Sequence, residues 1–160
     1  MERIAQISPE YTQVLQGILF FNPMNFKEQK DIFDTLREMA TEQVGMIIVD
    51  SISMLYRLEL GQSEDVYEVN TALGKQIAYL VEIARRRKVP VLITTQVYAD
   101  FDKKDQVKMV GGDLLKYGSK CLLELRKGVG FREIMLRKHR HLPEGLSAKF
   151  NIVEKGVESI

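Results

Sequence analysis

The stretch Gly45-Met46-Ile47-Ile48-Val49-Asp50-Ser51 decides the fold class of this 160-residue chain. Its four apolar residues form a continuous run, whereas a strand with one face in water alternates apolar and polar residues. The run therefore predicts a strand of a parallel sheet that is covered on both faces. Asp50 stands at its carboxyl end, where open α/β sheets bind their ligands.

Further elements are predicted on both sides of this strand. Gly17–Phe21 is a short apolar run that predicts a buried strand. Asn25 and Glu28 have the spacing of a capping box, ahead of a helix that ends near residues 43–45. A second amphipathic helix begins at Val66, and the apolar run within Val89–Gln96 predicts the next strand. The order strand-helix-strand-helix-strand favours a parallel sheet with right-handed crossovers.

The last third of the chain has a different pattern. Residues 99–112 are polar and lack periodicity, which predicts a long mobile loop followed by a short helix at 113–117. Residues 120–126 and 132–137 resemble two antiparallel strands, and residues 148–153 form a third run beside them. The sequence thus predicts a single α/β domain over residues 1–160, with a mostly parallel sheet, flanking helices and an antiparallel C-terminal extension.

Composition narrows the class of protein. With 45% hydrophobic and 28% charged residues, the chain can bury a core, and it has no apolar run of membrane-spanning length. No secretory signal is visible, so the cytoplasm is the expected compartment. Residues 1–82 carry 6 basic and 13 acidic side chains, and residues 83–160 carry 17 and 9. A polyanionic partner, a solvated face and contact with a neighbour's acidic half all explain the basic half.

Two features are candidate phosphate-binding elements. An apolar strand that ends in Asp50 matches the Walker B element of nucleotide-binding proteins, but the sequence contains no G-x-x-x-x-G-K-[ST] phosphate loop. Lys138 and Arg140 lie two residues apart, so on an extended strand they project together while His139 faces elsewhere. A solvated basic rim is the alternative. Zinc requires three or four ligands, which His139 and His141 do not supply.

The order of these elements, with Thr94-Thr95-Gln96 after the third strand, Gly111-Gly112 and the string Lys138-His139-Arg140-His141-Leu142-Pro143-Glu144-Gly145, resembles the RecA-type recombinase family. The likeness is to its archaeal paralogues and runs over nearly all of the chain. It implies a RecA-like P-loop ATPase core that is N-terminally incomplete, because Glu2–Ile7 is similar to family sequence just after the strand with the catalytic glutamate.

The resemblance assigns roles to nucleotide-site residues. Asp50 is the Walker B carboxylate, which binds magnesium through water, and Ser51 belongs to the same ATP site. Gln96 is the sensor that couples the γ-phosphate to the following loop. Lys138 and Arg140 reach across a subunit interface to the neighbour's γ-phosphate. Because the phosphate loop and general base are absent, ATP and magnesium are expected only in the complete protein or across an interface, and the chain is expected to be inactive alone.

The resemblance also assigns DNA contacts. Residues 99–112 correspond to the second DNA-binding loop, in which Lys103, Lys104 and Lys108 neutralise phosphates. Gly111 and Gly112 let backbone amides approach the DNA. The first DNA-binding loop falls near residues 57–66, where Arg57 stands among three carboxylates.

The resemblance implies a protein of DNA repair and homologous recombination that binds single-stranded DNA and ATP, with a mediator role. The implied partners are a recombinase or other recombination proteins. The chain is expected to be a homo-oligomer or to depend on a partner, and no membrane partner is expected. Two alternatives remain open at this point. One is a DnaB-like or KaiC-like ATPase with the same core, and the other is an interaction module that binds no nucleotide.

Overall fold

The computed structural model describes residues 2–39, 43–99 and 107–160. Where the sequence predicts a single domain, contacts divide the chain into two compact units, one comprising Phe21–Ser119 and the other Lys120–Ile160 with the segment that ends at Phe20. The helices are α1 (Glu2–Ile7), α2 (Tyr11–Gln16), α3 (Phe26–Met39), α4 (Ile52–Gln62), α5 (Val66–Arg86) and α6 (Gly112–Gly118). The strands are β1 (Ile47–Val49), β2 (Val91–Ile93), β3 (Val97–Ala99), β4 (Val107–Met109), β5 (Leu122–Lys127), β6 (Arg132–Lys138), β7 (Ser147–Val153) and β8 (Gly156–Ser159).

The predicted start of α3 is confirmed. The Glu28 backbone N–H donates to Asn25 Oδ1 at 2.9 Å, and the Glu28 carboxylate accepts from the Met24 backbone N–H at 2.8 Å. These bonds satisfy donors that the first turn of a helix leaves without intrahelical partners. The capping box therefore fixes where the helix begins.

Strands β1 and β2 pair in parallel, as predicted, with Ile47 opposite Val91 and Val49 opposite Ile93. The expectation that both faces of this sheet are covered is wrong. Ile47 is buried and belongs to the core formed with α3, α4 and α5, whereas Ile48 is 61% exposed and Leu92 46% exposed. Successive strand residues point to opposite faces, so the helices cover one face of this two-stranded sheet.

The core of the unit Phe21–Ser119 is built around α5. Leu73 is fully buried, Leu80 is nearly so, and Ile52 at the start of α4 is also fully buried. The predicted helix from Val66 is confirmed, and Asp65 caps it by accepting the Glu68 backbone N–H at 2.8 Å. Helix α4 was not predicted. The segment assigned to a first DNA-binding loop from residue 57 is helical as far as Gln62, because Ile52, Leu55 and Tyr56 bury one face of α4 against the core.

The prediction of a single loop over residues 99–112 is wrong for residues 99, 107–109 and 112, because Ala99 is the last residue of β3. Val107–Met109 forms β4, which pairs antiparallel with β3, and α6 begins at Gly112. Val97 lies opposite Met109, so the pairing extends strand structure into a segment whose polar composition hid it. Residues 100–106 lie outside the described residues.

The predicted strand at Gly17–Phe21 is also wrong. The structure assigns no strand to this run, and Leu19 is 70% exposed and Phe20 62% exposed. A strand requires a neighbour that accepts and donates its backbone hydrogen bonds, and no described strand pairs with these residues.

The second unit contains a four-stranded antiparallel sheet in the order β5-β6-β7-β8. It confirms the three strands predicted near the C-terminus and adds β8. The turn between β5 and β6 is closed by the Gly128 backbone N–H, which donates to the Phe131 carbonyl at 2.9 Å. Arg3 of α1 donates to the carbonyl oxygens of Val153, Glu154 and Gly156 at 2.6, 3.0 and 3.0 Å, and so ties α1 to the turn between β7 and β8.

No described helix is both long and apolar enough to span a bilayer.

Candidate functional site

The carboxyl ends of β1 and β2 are joined by side chains as well as by the backbone. Thr94 Oγ1 donates to Asp50 Oδ1 at 2.5 Å, and the Thr94 backbone N–H donates to the Val49 carbonyl at 3.0 Å. The Ile52 backbone N–H then donates to the Thr94 carbonyl at 3.2 Å. Asp50 is exposed at this edge. Its carboxylate is therefore held in place while it faces solvent, as a ligand-binding group must be.

Gln96 connects this edge to the β3–β4 hairpin through its main chain. Its backbone N–H donates to Ser53 Oγ at 3.1 Å, and its carbonyl accepts the Val110 backbone N–H at 2.9 Å. Thr95 Oγ1 donates to the Val110 carbonyl at 2.9 Å. Ser53 is fully buried, so the Gln96 backbone is anchored in the core while its side chain is exposed. Ser53 is not among the predicted site residues, because α4 itself is not predicted from the sequence.

A buried pair of amides lies behind Asp50 and Ser51. Gln29 Nε2 donates to Gln76 Oε1 at 2.7 Å and to the Ile52 carbonyl at 3.4 Å. Both side chains are buried, and Gln76 Nε2 has no hydrogen-bond partner among the described residues. The pair links α3, α5 and the first residue of α4. Its signal in the sequence is a glutamine on the apolar face of each helix, which the sequence analysis did not use.

A cavity of about 500 Å³ adjoins the β3–β4 hairpin; its walls include Tyr56, Asn70, Tyr98, Val110, Gly111 and Gly112. Tyr56 Oη donates to Asn70 Oδ1 at 2.6 Å. Burial, followed by the nearby Tyr98, raises the pKa of Tyr56 above its ordinary value. The phenol therefore remains a hydrogen-bond donor at neutral pH.

The predicted glycines lie in the wall of this cavity. Gly111 has φ +87°, and a Cβ there would lie 3.1 Å from Leu115 Cδ1. Gly112 has φ +44° and begins α6. Left-handed backbone and close packing make glycine the residue that fits position 111.

The predicted DNA-contacting cations lie on different elements. Lys108 lies on β4 opposite Tyr98, beside the cavity. Arg57 is an exposed residue of α4 rather than part of a loop. Lys103 and Lys104 lie outside the described residues. Of the predicted DNA contacts, the structure thus places Lys108, Gly111 and Gly112 on neighbouring segments.

The basic string at the end of β6 forms a turn. The strand ends at Lys138, so the alternation predicted to align Lys138 with Arg140 does not extend to Arg140, because the chain bends after His139. His139 Nδ1 accepts the backbone N–H groups of His141 and Leu142, both at 3.1 Å. Arg140, between His139 and His141, is exposed.

An ion-pair group precedes this turn. Glu124 accepts from Arg126 Nε at 2.7 Å and from Arg137 Nε at 2.5 Å. Burial by itself raises the pKa of a carboxyl group, but the hydrogen bonds from Arg126 and Arg137 outweigh it, so the pKa of Glu124 is lowered from 4.5. The same bond to Glu124 raises the pKa of Arg126. No group of three or more described His, Cys, Asp or Glu residues is arranged to hold a metal ion.

Known proteins are similar to this chain over its whole length. The family model described as Rad51 matches residues 1–160. The DNA repair and recombination protein RadB of Methanococcus maripaludis strain C7 is 37% identical over an alignment of 162 residues, which covers 100% of this chain and 73% of the relative. RadB of Methanococcoides burtonii is 38% identical, with 98% of this chain and 70% of the relative covered.

A solved structure extends the likeness to three dimensions. The crystal structure of the RadB recombinase superposes with a TM-score of 0.80 at 32% identity, and the match covers 99% of this chain and 73% of that chain. The fold is therefore the RecA-like fold of that protein, with parallel and antiparallel strands and flanking helices. The chain belongs to the Rad51 family of RecA-type recombinases, within its RadB branch of DNA repair and recombination proteins.

Proposed function

We propose that this RadB-type protein binds single-stranded DNA, binds ATP with magnesium in the complete protein or across a subunit interface, and acts as a mediator of homologous recombination. The observation that carries the proposal is the position of Gln96. Its backbone is bonded to Ser53 on one side and to Val110 on the other, and it directly follows the strand whose end contacts Asp50. A change at the Asp50 edge therefore has a short covalent and hydrogen-bonded route to the β3–β4 hairpin.

The Asp50 edge has donors suited to a magnesium nucleotide. Magnesium prefers carboxylate and water oxygens, and Asp50 presents an exposed carboxylate of which Thr94 binds one oxygen. Ser51 follows directly at the start of α4. Bound magnesium neutralises phosphate charge. Asp50 holds the metal through water, Ser51 belongs to the same site, and the exposed Gln96 side chain senses the γ-phosphate.

The β3–β4 hairpin is the proposed DNA-binding element. Lys108 and the cavity containing Tyr98 lie together there, which combines a cation for phosphate with an aromatic ring for a base. Lys103 and Lys104 add cations, Gly111 and Gly112 let the backbone approach the strand, and Arg57 supplies a contact from α4. Single strands are bound in this way with little dependence on sequence.

Lys138 and Arg140 complete the nucleotide site of a neighbouring subunit. Cations stabilise charge on a transferring phosphoryl group, and a cation delivered by a neighbour makes the nucleotide state depend on assembly. This role implies a homo-oligomer or a complex with a recombinase or another recombination protein. We propose that the mediator acts through such contacts in the cytoplasm.

The substitution Q96A tests the coupling. It removes the side chain and retains the backbone bonds to Ser53 and Val110, so the fold is preserved. We expect ATP with magnesium to change the affinity of wild-type protein for a fluorescein-labelled oligothymidine by at least about fivefold, and Q96A to lose this dependence. Anisotropy titrations measure both affinities.

The control is Q13A, an exposed glutamine of α2, which should behave as wild type. Wild-type protein without affinity for the oligonucleotide contradicts DNA binding. An unchanged response to ATP in Q96A contradicts the role of Gln96 as the sensor.

A further inference from the structure

The turn that carries Arg140 is closed at its base by β6 itself. The Gly145 backbone N–H donates to the Leu136 carbonyl at 2.8 Å, and the Leu136 backbone N–H donates to the Leu146 carbonyl at 2.8 Å. Gly145 has φ +88°, which favours glycine at the point where the chain returns to the sheet. Residues 139–144, which follow the end of β6, therefore form a loop closed at its base rather than a free segment.

Within this loop the His139 side chain accepts hydrogen bonds from the backbone. Its Nδ1 accepts two backbone N–H groups, those of His141 and Leu142, at 3.1 Å each. To accept, Nδ1 carries no proton, so the ring proton resides on Nε2. Nδ1 is bonded to Cγ, as is Oδ1 of asparagine, so His139 reproduces the turn in which an asparagine side chain accepts backbone N–H groups two residues ahead.

The strand before the turn is fixed independently. Glu124 binds Arg137 from the adjacent strand β5, directly before Lys138. Lys138 thus lies between Arg137, which is held by the ion pair with Glu124, and His139, which organises the turn. Arg140 follows between His139 and the first of the two backbone donors, and it is exposed.

We infer that His139 is a positioning residue, whose ring nitrogen sets the backbone of residues 140–142 and so fixes the direction in which Arg140, just beyond Lys138 at the end of β6, is presented to an anionic phosphate group. This inference rests on the proposed role of these two cations in a neighbour's nucleotide site. A turn held in one conformation before binding loses less conformational entropy on binding. His139 itself does not touch the phosphate.

Two substitutions at His139 distinguish the contribution of its ring from that of its hydrogen-bond acceptor. H139F retains a ring of similar shape, including the edge contact with His141 at 6.1 Å between centroids, but it has no acceptor. H139N loses the ring and retains an acceptor on Cγ. Nucleotide-dependent assembly is measured by light scattering with ATP and magnesium, with K138A/R140A as the reference for loss of both cations.

We expect H139F to raise the protein concentration of half-maximal assembly about tenfold and H139N to restore it to within about twofold of wild type. A role of the ring in packing alone predicts the opposite order, with H139N the weaker variant, and this result would overturn the inference. Thermal melting checks the fold, and H139L, which also lacks an acceptor, replaces H139F if the phenyl ring prevents folding.

Amide hydrogen exchange followed by NMR gives a readout that requires no nucleotide. We expect the His141 and Leu142 amides to exchange faster in H139F than in wild type, and to be protected in H139N. Equal exchange in all three proteins overturns the claim about the turn. If wild-type protein does not assemble with nucleotide while exchange behaves as expected, His139 organises the turn but the proposed role of Lys138 and Arg140 fails, and the positioning role fails with it.

Discussion

The Thr94 hydroxyl donates a 2.5 Å hydrogen bond to the Asp50 carboxylate, across two strands that are 44 residues apart in sequence. This bond occupies Oδ1 and orients the other carboxylate oxygen. The paired strand ends therefore present Asp50 in one orientation, and the backbone bonds from Thr94 to Val49 and from Ile52 to Thr94 support it.

Replacing Thr94 should weaken magnesium nucleotide binding without unfolding the protein. T94V retains the branched shape but removes the hydroxyl, so Asp50 loses its orienting donor. We expect the affinity for ATP with magnesium to fall about two- to tenfold, the range for one lost hydrogen bond. Isothermal titration calorimetry measures it. T94S retains the hydroxyl and serves as the matched control; equal losses in the two variants would show that the methyl group matters instead.

Removing hairpin lysines should reduce the salt dependence of DNA binding. Each lost phosphate contact lowers the slope of log affinity against log salt by about 0.7 for a single strand. We expect K108A to remove one such increment and K103A/K104A/K108A to remove up to three. The control is K155A, an exposed lysine in the β7–β8 turn. A slope that changes only in K155A would place the DNA-binding surface elsewhere.

Glu124 should stabilise the fold in a pH-dependent manner. Its folded-state pKa is lowered from 4.5, so its contribution is fully present above pH 4.5 and is lost as the pH falls through the lowered value. We expect E124Q to reduce the free energy of unfolding by about 1–2 kcal/mol at pH 7, a figure reduced for the partial exposure of both arginines. Urea denaturation at pH 7 and pH 3 measures the difference. A difference that persists undiminished at pH 3 would contradict an ionic origin.

The buried amide pair should show strong coupling in a double-mutant cycle. Q29L removes the Gln29 Nε2 donor to Gln76 Oε1 and leaves a buried amide unsatisfied, so we expect a loss of about 1–3 kcal/mol. Q29L/Q76L removes both polar groups and should lose less than the sum of the single variants. Chemical denaturation provides the four free energies. Strict additivity would show that the 2.7 Å hydrogen bond contributes no coupling.

Local patterns were sufficient for much of the fold. The capping box of Asn25 and Glu28, the period of α5 and the apolar runs of β1 and β2 all depend on residues close in sequence, and the structure confirms them. The family was also recognisable from the order of motifs, and the comparisons confirm it. Local hydrogen bonds and side-chain periodicity are properties that a sequence displays directly.

Elements that depend on a distant partner were misjudged. Gly17–Phe21 has the composition of a strand but pairs with no described strand, whereas Val107–Met109 is only three residues long, follows a polar segment and pairs with β3. A strand exists only when a neighbour satisfies its backbone, and composition does not reveal the neighbour. Helix α4 was missed for a related reason, since its buried face is defined by the core it meets.

In the candidate site, too, some features follow from local sequence and others depend on distant partners. By itself the sequence determined that Asp50 and Gln96 follow the neighbouring strands β1 and β2 and that Lys138 and Arg140 belong to one basic string. Only the tertiary structure decided that Thr94 orients Asp50 and that Ser53 and Val110 hold Gln96. The physical reason is that these bonds depend on directions and distances within about 3 Å, which arise only when separate elements pack together.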